Sequence, residues 1–150
     1  MLLIISFIGK GQNMFQKSYW FNGALNAGHP TNDGGFVMTG YHLWGQYLGD
    51  REVLLVKVKS NGDTSFAKTY NLSNSSEGYN VWQTSDGGYI ISGWSDNGVS
   101  YSYSNIIKTD SLGNGMWGIE SGPSTNGAGG VAAFHQTNDG GFVIGFNEYN

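Results

Sequence analysis

Three carboxylates in one repeated setting are the first residues with chemistry to offer. Asp33, Asp86 and Asp139 each stand in the pattern Thr-x-Asp-Gly-Gly and recur at 53-residue intervals. Repeated acidic turns ligate calcium in some solenoids, but calcium wants several oxygens converging on one point. Each of these turns supplies one carboxylate and has no acidic neighbour. Asp before Gly is also what a tight turn asks for, with Gly taking the positive φ. The sequence therefore assigns Asp33, Gly34, Gly35, Asp86, Gly87, Gly88, Asp139, Gly140 and Gly141 to structural turns, and assigns no residue to a metal and none to a cofactor.

The remaining reactive side chains form no catalytic pattern. The histidines are His29, His42 and His135. His29 and His135 stand two residues before the repeated Thr, where the middle copy has Trp82. Imidazoles separated by a repeat or more, with a Trp between them, are expected to make packing contacts between repeats, since a metal needs converging ligands. Lys57 and Lys108, like Lys17 and Lys68, recur at matching places. Their stems are expected to pack and their ammonium groups to stay in water. There is no nucleophile–base motif, and the paired glycines precede no helix, so they are not a dinucleotide fingerprint. No residue is assigned a catalytic role.

Binding has better material. Two stretches that differ between repeats, from Tyr41 to Tyr47 and from Trp94 to Tyr103, are rich in Trp, Tyr, Asn and Ser. Loops that vary on a repeating scaffold are where binding residues sit. Aromatic faces beside amides and hydroxyls suit sugar rings, which stack through C–H faces and hydrogen-bond through hydroxyls. Trp44, Tyr47, Trp94, Tyr101 and Tyr103 are the expected binding residues, for a carbohydrate or a protein ligand.

The elements that must hold these residues follow from the repeat. A self-similar period of this size marks units that bury their apolar faces only by stacking. Within one period four strand-like runs can be laid out: Gly78 to Thr84, Tyr89 to Trp94, Ser104 to Thr109, and a run containing Trp117 that starts near Gly115. The counterpart of the third is Val53 to Val58, whose continuous apolar character fits a strand covered on both faces. Glycine at 25 residues and aromatics at 15% suit short strands and tight turns. Four antiparallel strands in about 50 residues make one β-propeller blade. A seven-stranded sandwich is the competing all-β design, and it has no reason to repeat a turn at constant spacing.

The expected fold is thus all-β, with about 2.5 blades: an outer strand at 14–19, a blade at 24–70, a blade at 77–121 and a half blade at 128–146. Closed propellers use roughly 4 to 8 blades. Ring closure then needs either missing blades or self-association, and a fragment of a longer protein is the expected case. Residues 1–11 read as a signal peptide, because Leu2 to Ile8 is a short apolar run and Gly9 and Gly11 supply small residues before a cleavage point. A first strand is the alternative, since so short a run is ambiguous by pattern. The run is too short to span a bilayer as a helix. Seven Lys and Arg against a net charge of −4 exclude a phosphate-neutralising stripe, and with it nucleic acid as a partner.

The motif Thr-x-Asp-Gly-Gly-aromatic-(Val/Ile)-x-x-Gly, followed by an aliphatic-Lys strand and an Asn-Gly-type turn, resembles a family of propeller-forming repeats. These repeats are abundant in secreted and surface proteins of Bacteroidota-type bacteria, many of which carry a type IX secretion sorting domain. The resemblance covers roughly Phe15 to Phe146, with Phe146 standing where Gly40 and Gly93 stand in the earlier copies. It implies an exported, non-enzymatic binding or structural module at the cell surface or outside it. The stretch Lys108 to Trp117 also resembles the Trp-docking hairpin of quinone-dependent dehydrogenases and the Asp-box hairpin of sialidases, both structural devices. A fragment of a propeller enzyme, such as a glycan-active hydrolase or lyase or a quinoprotein, is the alternative function.

Overall fold

A computed structural model of the protein describes residues 2–6, 16–45, 49–99, 101–121 and 130–147. Among them the regular structure is all β, twelve strands in four antiparallel sheets. The first sheet pairs β1 (Leu2–Ser6) with β2 (Gln16–Trp20). The second is β3 (Gly23–Pro30), β4 (Phe36–Leu43), β5 (Arg51–Val58) and β6 (Thr64–Tyr70), paired in sequence order. The third repeats that order with β7 (Ser75–Gln83), β8 (Tyr89–Asp96), β9 (Ser102–Thr109) and β10 (Gly115–Glu120). The fourth pairs β11 (Gly130–Gln136) with β12 (Phe142–Asn147). These are propeller-type blades, two of them four-stranded and none closed into a barrel. Leu2–Ser6, whose alternative to a signal-peptide core was a first strand, pairs here as β1. Of the expected outer strand at 14–19, residues 14 and 15 lie outside the described residues.

The middle strands bury both faces, which explains their unbroken apolar runs. Val37, Val53 and Leu55 pack against Val81, Tyr89, Ile91 and Ile107 of the next blade. On the other face, Met38, Leu54, Val56 and Val58 pack with Tyr19, Phe21, Leu25 and Phe36. Adjacent residues such as Leu54 and Leu55 thus serve different cores. Each contributes about 1.5–3 kcal/mol by leaving water.

The register irregularities repeat as well. The first strand of each unit shifts register between Leu25 and Ala27, between Gly78 and Asn80, and between Val131 and Ala133. A bulge adds one unpaired residue and bends the strand. Asn26 and Tyr79 are the extra residues of the first two units.

Successive blades are joined by recurring links. The Tyr70 hydroxyl donates to the Gly113 carbonyl at 2.7 Å, and the Tyr19 hydroxyl donates to the Gly62 carbonyl of its own neighbour. The Asn32 amide donates to Gln83 Oε1 and the Ser85 amide to Gln136 Oε1, both at 2.8 Å. Rings meet across the same boundaries: Phe66 with Tyr89 at 6.0 Å and Trp117 with Phe142 at 5.8 Å. The Trp82 ring lies 4.6 Å from His29 and 4.5 Å from Phe134. His29 therefore makes the packing contact between repeats that its place predicts. His135 is exposed, and the adjacent Phe134 meets Trp82 in its stead.

Candidate functional site

The repeated turns form one end of each blade. Thr84 N donates to Gly88 O, and Gly87 N to Thr84 O, both at 2.9 Å. Gly87 closes this turn at φ 81°, in the left-handed region that glycine reaches without penalty. Asp86 Oδ1 accepts from the Thr84 hydroxyl at 2.5 Å and from the Gly88 amide at 2.9 Å. Asp33 does the same with Thr31 at 2.5 Å and Gly35 at 3.0 Å, and Asp139 with Thr137 and Gly141. The aspartates thus hold their own turns, the structural role assigned to them.

The lysines behave differently from expectation. Lys57 and Lys108 have side chains only 5% and 4% exposed, so their ammonium groups are not in water. Lys108 Nζ donates to Asp86 Oδ2 at 2.7 Å and to the Thr109 carbonyl at 2.8 Å. Lys57 Nζ donates to both oxygens of Asp33, at 3.0 and 2.8 Å, and to the Val58 carbonyl at 2.9 Å. The sheet register is the cause: Ile90 lies opposite Lys108 and Val37 opposite Lys57, which sets each lysine beneath the turn that precedes its partner strand. Burial becomes tolerable because the charge is paired and hydrogen-bonded.

The lysine hydrogen bonds, followed by those from Thr31 and Thr84, hold the Asp33 and Asp86 carboxyls at about 2. Asp139 is also lowered, by Thr137 and Gly141, with no lysine among the causes. A carboxyl whose ionisation is depressed on folding stabilises the fold above its unfolded value, near 3.9, and loses that contribution as pH falls toward its folded value. Stability is therefore expected to fall as pH drops from about 4 to about 2. Carboxyl carbon shifts followed by NMR should show Asp33 and Asp86 titrating below Asp139; coincident titration of the three would rule out the lysine latch.

At the opposite end of the blades, a second polar cluster bridges the two complete units. Arg51 Nη1 donates to Glu77 Oε2 at 2.6 Å, and Asn26 Nδ2 to Glu77 Oε1 at 2.7 Å and to Gly78 O at 2.8 Å. The Arg51 guanidinium also lies 4.3 Å from the centre of the Tyr41 ring, within cation–π range. The ionisation of the Tyr79 hydroxyl is raised mainly by burial and then by the Glu77 charge, against smaller lowering effects of Trp94 and Arg51. Tyr79 still exposes 42% of its surface. Glu77 itself is buried and engaged on both oxygens, a brace between blades.

The connecting loops stand at this same end. Trp44 N donates to Asp50 O at 3.1 Å, closing the first loop, and Trp44 is 57% exposed. In the second, Asn97 Oδ1 accepts from Val99 N at 3.1 Å and from Tyr101 N at 3.2 Å, and Tyr101 is 42% exposed. Trp94, which ends the second expected strand of this repeat, lies on β8, and Tyr103, expected in the long loop, lies instead on β9; both are half-buried. Ser95 pairs with Tyr103 and Asp96 with Ser102, so the polar run Ser-Asp continues the hairpin and leaves only residues 97–101 outside it. Tyr47 lies outside the described residues. Asn26, Arg51 and Tyr79 were not legible as site residues. The available signal was that Asn26 and Tyr79 occupy one position of the repeat and yet differ.

Among the described residues no three His, Cys, Asp or Glu side chains are grouped so as to hold a metal ion, and no helix is long and apolar enough to cross a membrane. What the geometry offers is a polar, aromatic surface: Trp44 and Tyr101 on equivalent loops, with Tyr79, Trp94 and Asn26 around the boundary between blades. Compared with known protein-family models and with curated proteins, the chain matches none.

Proposed function

We propose that this chain is a non-enzymatic binding module whose loop end takes carbohydrate. The observation that supports this most is the exposure of Trp44 and Tyr101 on equivalent loops of neighbouring blades, while the scaffold beneath them repeats. A sugar ring stacks on such faces, and the half-exposed Tyr79 hydroxyl lies at the same end to meet its hydroxyls. A binding role is also favoured by Glu77, the one acidic residue of the full inner strands β3 and β7, being engaged with Arg51 and Asn26. Its placement outside the cell rests on the repeat resemblance.

Calorimetric titration with soluble polysaccharides and oligosaccharides tests the proposal. Binding is expected, and Trp44→Ala or Tyr101→Ala should weaken it by about tenfold, a stacking contribution of about 1.4 kcal/mol. Absence of carbohydrate binding, or affinity unchanged in both variants, would discard it. Glycan turnover by the wild-type chain would move the protein to the enzyme class.

A further inference from the structure

One row of facing residues is built differently in the two complete blades. In the first, Leu25, Gly40, Leu54 and Thr69 stand opposite one another across β3 to β6. In the second, the same places hold Gly78, Gly93, Asn105 and Glu120 across β7 to β10. The first row is apolar at its centre, where Leu25 packs against the cluster of Leu54. The second has a glycine and an amide in place of the two leucines. It faces the first blade, since a β-carbon on Gly78 would lie 2.1 Å from Thr39 Oγ1.

Asn105 is fully buried, and neither its Nδ2 nor its Oδ1 has a hydrogen-bond partner in the protein. Native interiors satisfy such groups with protein atoms or with ordered water. The surroundings of Asn105 are polar as well. Ser76 and Ser95 face each other two residues further along the sheet, both fully buried, and the Ser76 hydroxyl is also unpartnered. Ser95 Oγ donates to Glu120 Oε1 at 3.1 Å. Ser95 lies opposite Tyr103 and Glu120 opposite Asn105, so this bond passes over β9 and carries the carboxylate across the strand that holds the amide.

We infer that the boundary between the two complete blades holds ordered water on the Asn105 amide. The guest must accept from Nδ2 and donate to Oδ1, which a water does and a cation does not. A buried water also needs room and about two to four polar partners. Gly78 and Gly93 bring no side chain to the row, and the Ser95 hydroxyl and Glu120 carboxylate stand beside the amide as further partners. A hydrated asparagine thus does for the second blade what the leucine pair does for the first.

A crystal structure of the full chain tests this, with a solvent oxygen expected within about 3.2 Å of Asn105 Nδ2 or Oδ1. Oxygen-17 relaxation dispersion of the water signal gives a second reading in solution, because only long-lived internal waters contribute to it. Asn105→Leu keeps the branching of the side chain and removes its polar atoms, and it should lower the dispersion amplitude. Leu112→Ala, at an exposed turn residue, should leave the amplitude unchanged. An Asn105 amide with no solvent oxygen in reach, a metal ion on its Oδ1, or a dispersion amplitude no lower in Asn105→Leu than in the wild type would each overturn the inference.

Discussion

Asp86→Ala is expected to lower the unfolding free energy by about 2–3 kcal/mol, somewhat less than the 3–5 typical of breaking a fully buried pair. The loss comes from the lysine that remains, not from the missing carboxylate. Lys108 is 4% exposed and would keep only the Thr109 carbonyl and the weak acceptor Met116 Sδ. The half-exposed position of Asp86 lets water reach part of the vacancy, which sets the lower figure. Removing both charges, as Asp86→Ala with Lys108→Met, should restore part of the loss, because no uncompensated ammonium is left behind. Urea unfolding of Asp86→Ala, Lys108→Met and the double variant measures this directly. A double variant as unstable as the two single losses combined would show that the pair is not the unit that matters.

A similar or larger effect, about 2–4 kcal/mol, is expected for Gly88→Ala, whose added carbon meets main chain that cannot turn aside. The methyl would lie 2.1 Å from the Thr109 carbonyl oxygen, 2.7 Å from Lys108 Nζ and 3.1 Å from Asp86 Oδ1. Its φ is not in the left-handed region, so the demand for glycine at this place is one of space alone. The two glycines of the motif thus have separate reasons: the first for conformation, the second for close approach of the third strand and its lysine. Gly141 supplies the control within the same chain. Its nearest neighbour is Thr137 Oγ1 at 3.0 Å, with no third-strand carbonyl close by. Gly141→Ala should therefore lose less than Gly88→Ala by thermal melting; equal losses would mean that crowding beneath the turn is not the cause.

Much of this architecture was legible because it is periodic. The Asp-Gly-Gly turns, the strands that flank them and the order of strands within a blade all follow from local chemistry repeated in phase. What was not legible depends on register and on neighbours. The recurrence of Lys57 and Lys108 was visible, but a lysine on a strand reads as a solvated head unless the facing strand is known to bring an acidic turn above it. Ser95, Asp96 and Tyr103 were placed in a loop because Ser, Asp, Asn and Gly signal one. Ser95 and Ser76, both buried, show that polar side chains were being used inside a sheet instead. The Leu2 to Ile8 run carries no periodicity, and only its pairing with Gln16–Trp20 marks Leu2–Ser6 as a strand. The Glu77 brace joins residues 26, 51 and 77, which share no motif because the bulge at Asn26 is what turns that amide toward the next blade.

The links between blades also govern how the chain acquires its structure. The recurrent hydrogen bonds between blades join residues 43 positions apart, as in Tyr19–Gly62 and Tyr70–Gly113, or 51 apart, as in Asn32–Gln83 and Ser85–Gln136, and none of them skips a blade. Folding can then proceed outward from whichever complete blade forms first, each new unit docking on its predecessor as it leaves the ribosome. Damage should spread by the same rule. A lesion in the blade of β7 to β10 uncouples the units on both sides of it, β3 to β6 and β11 with β12.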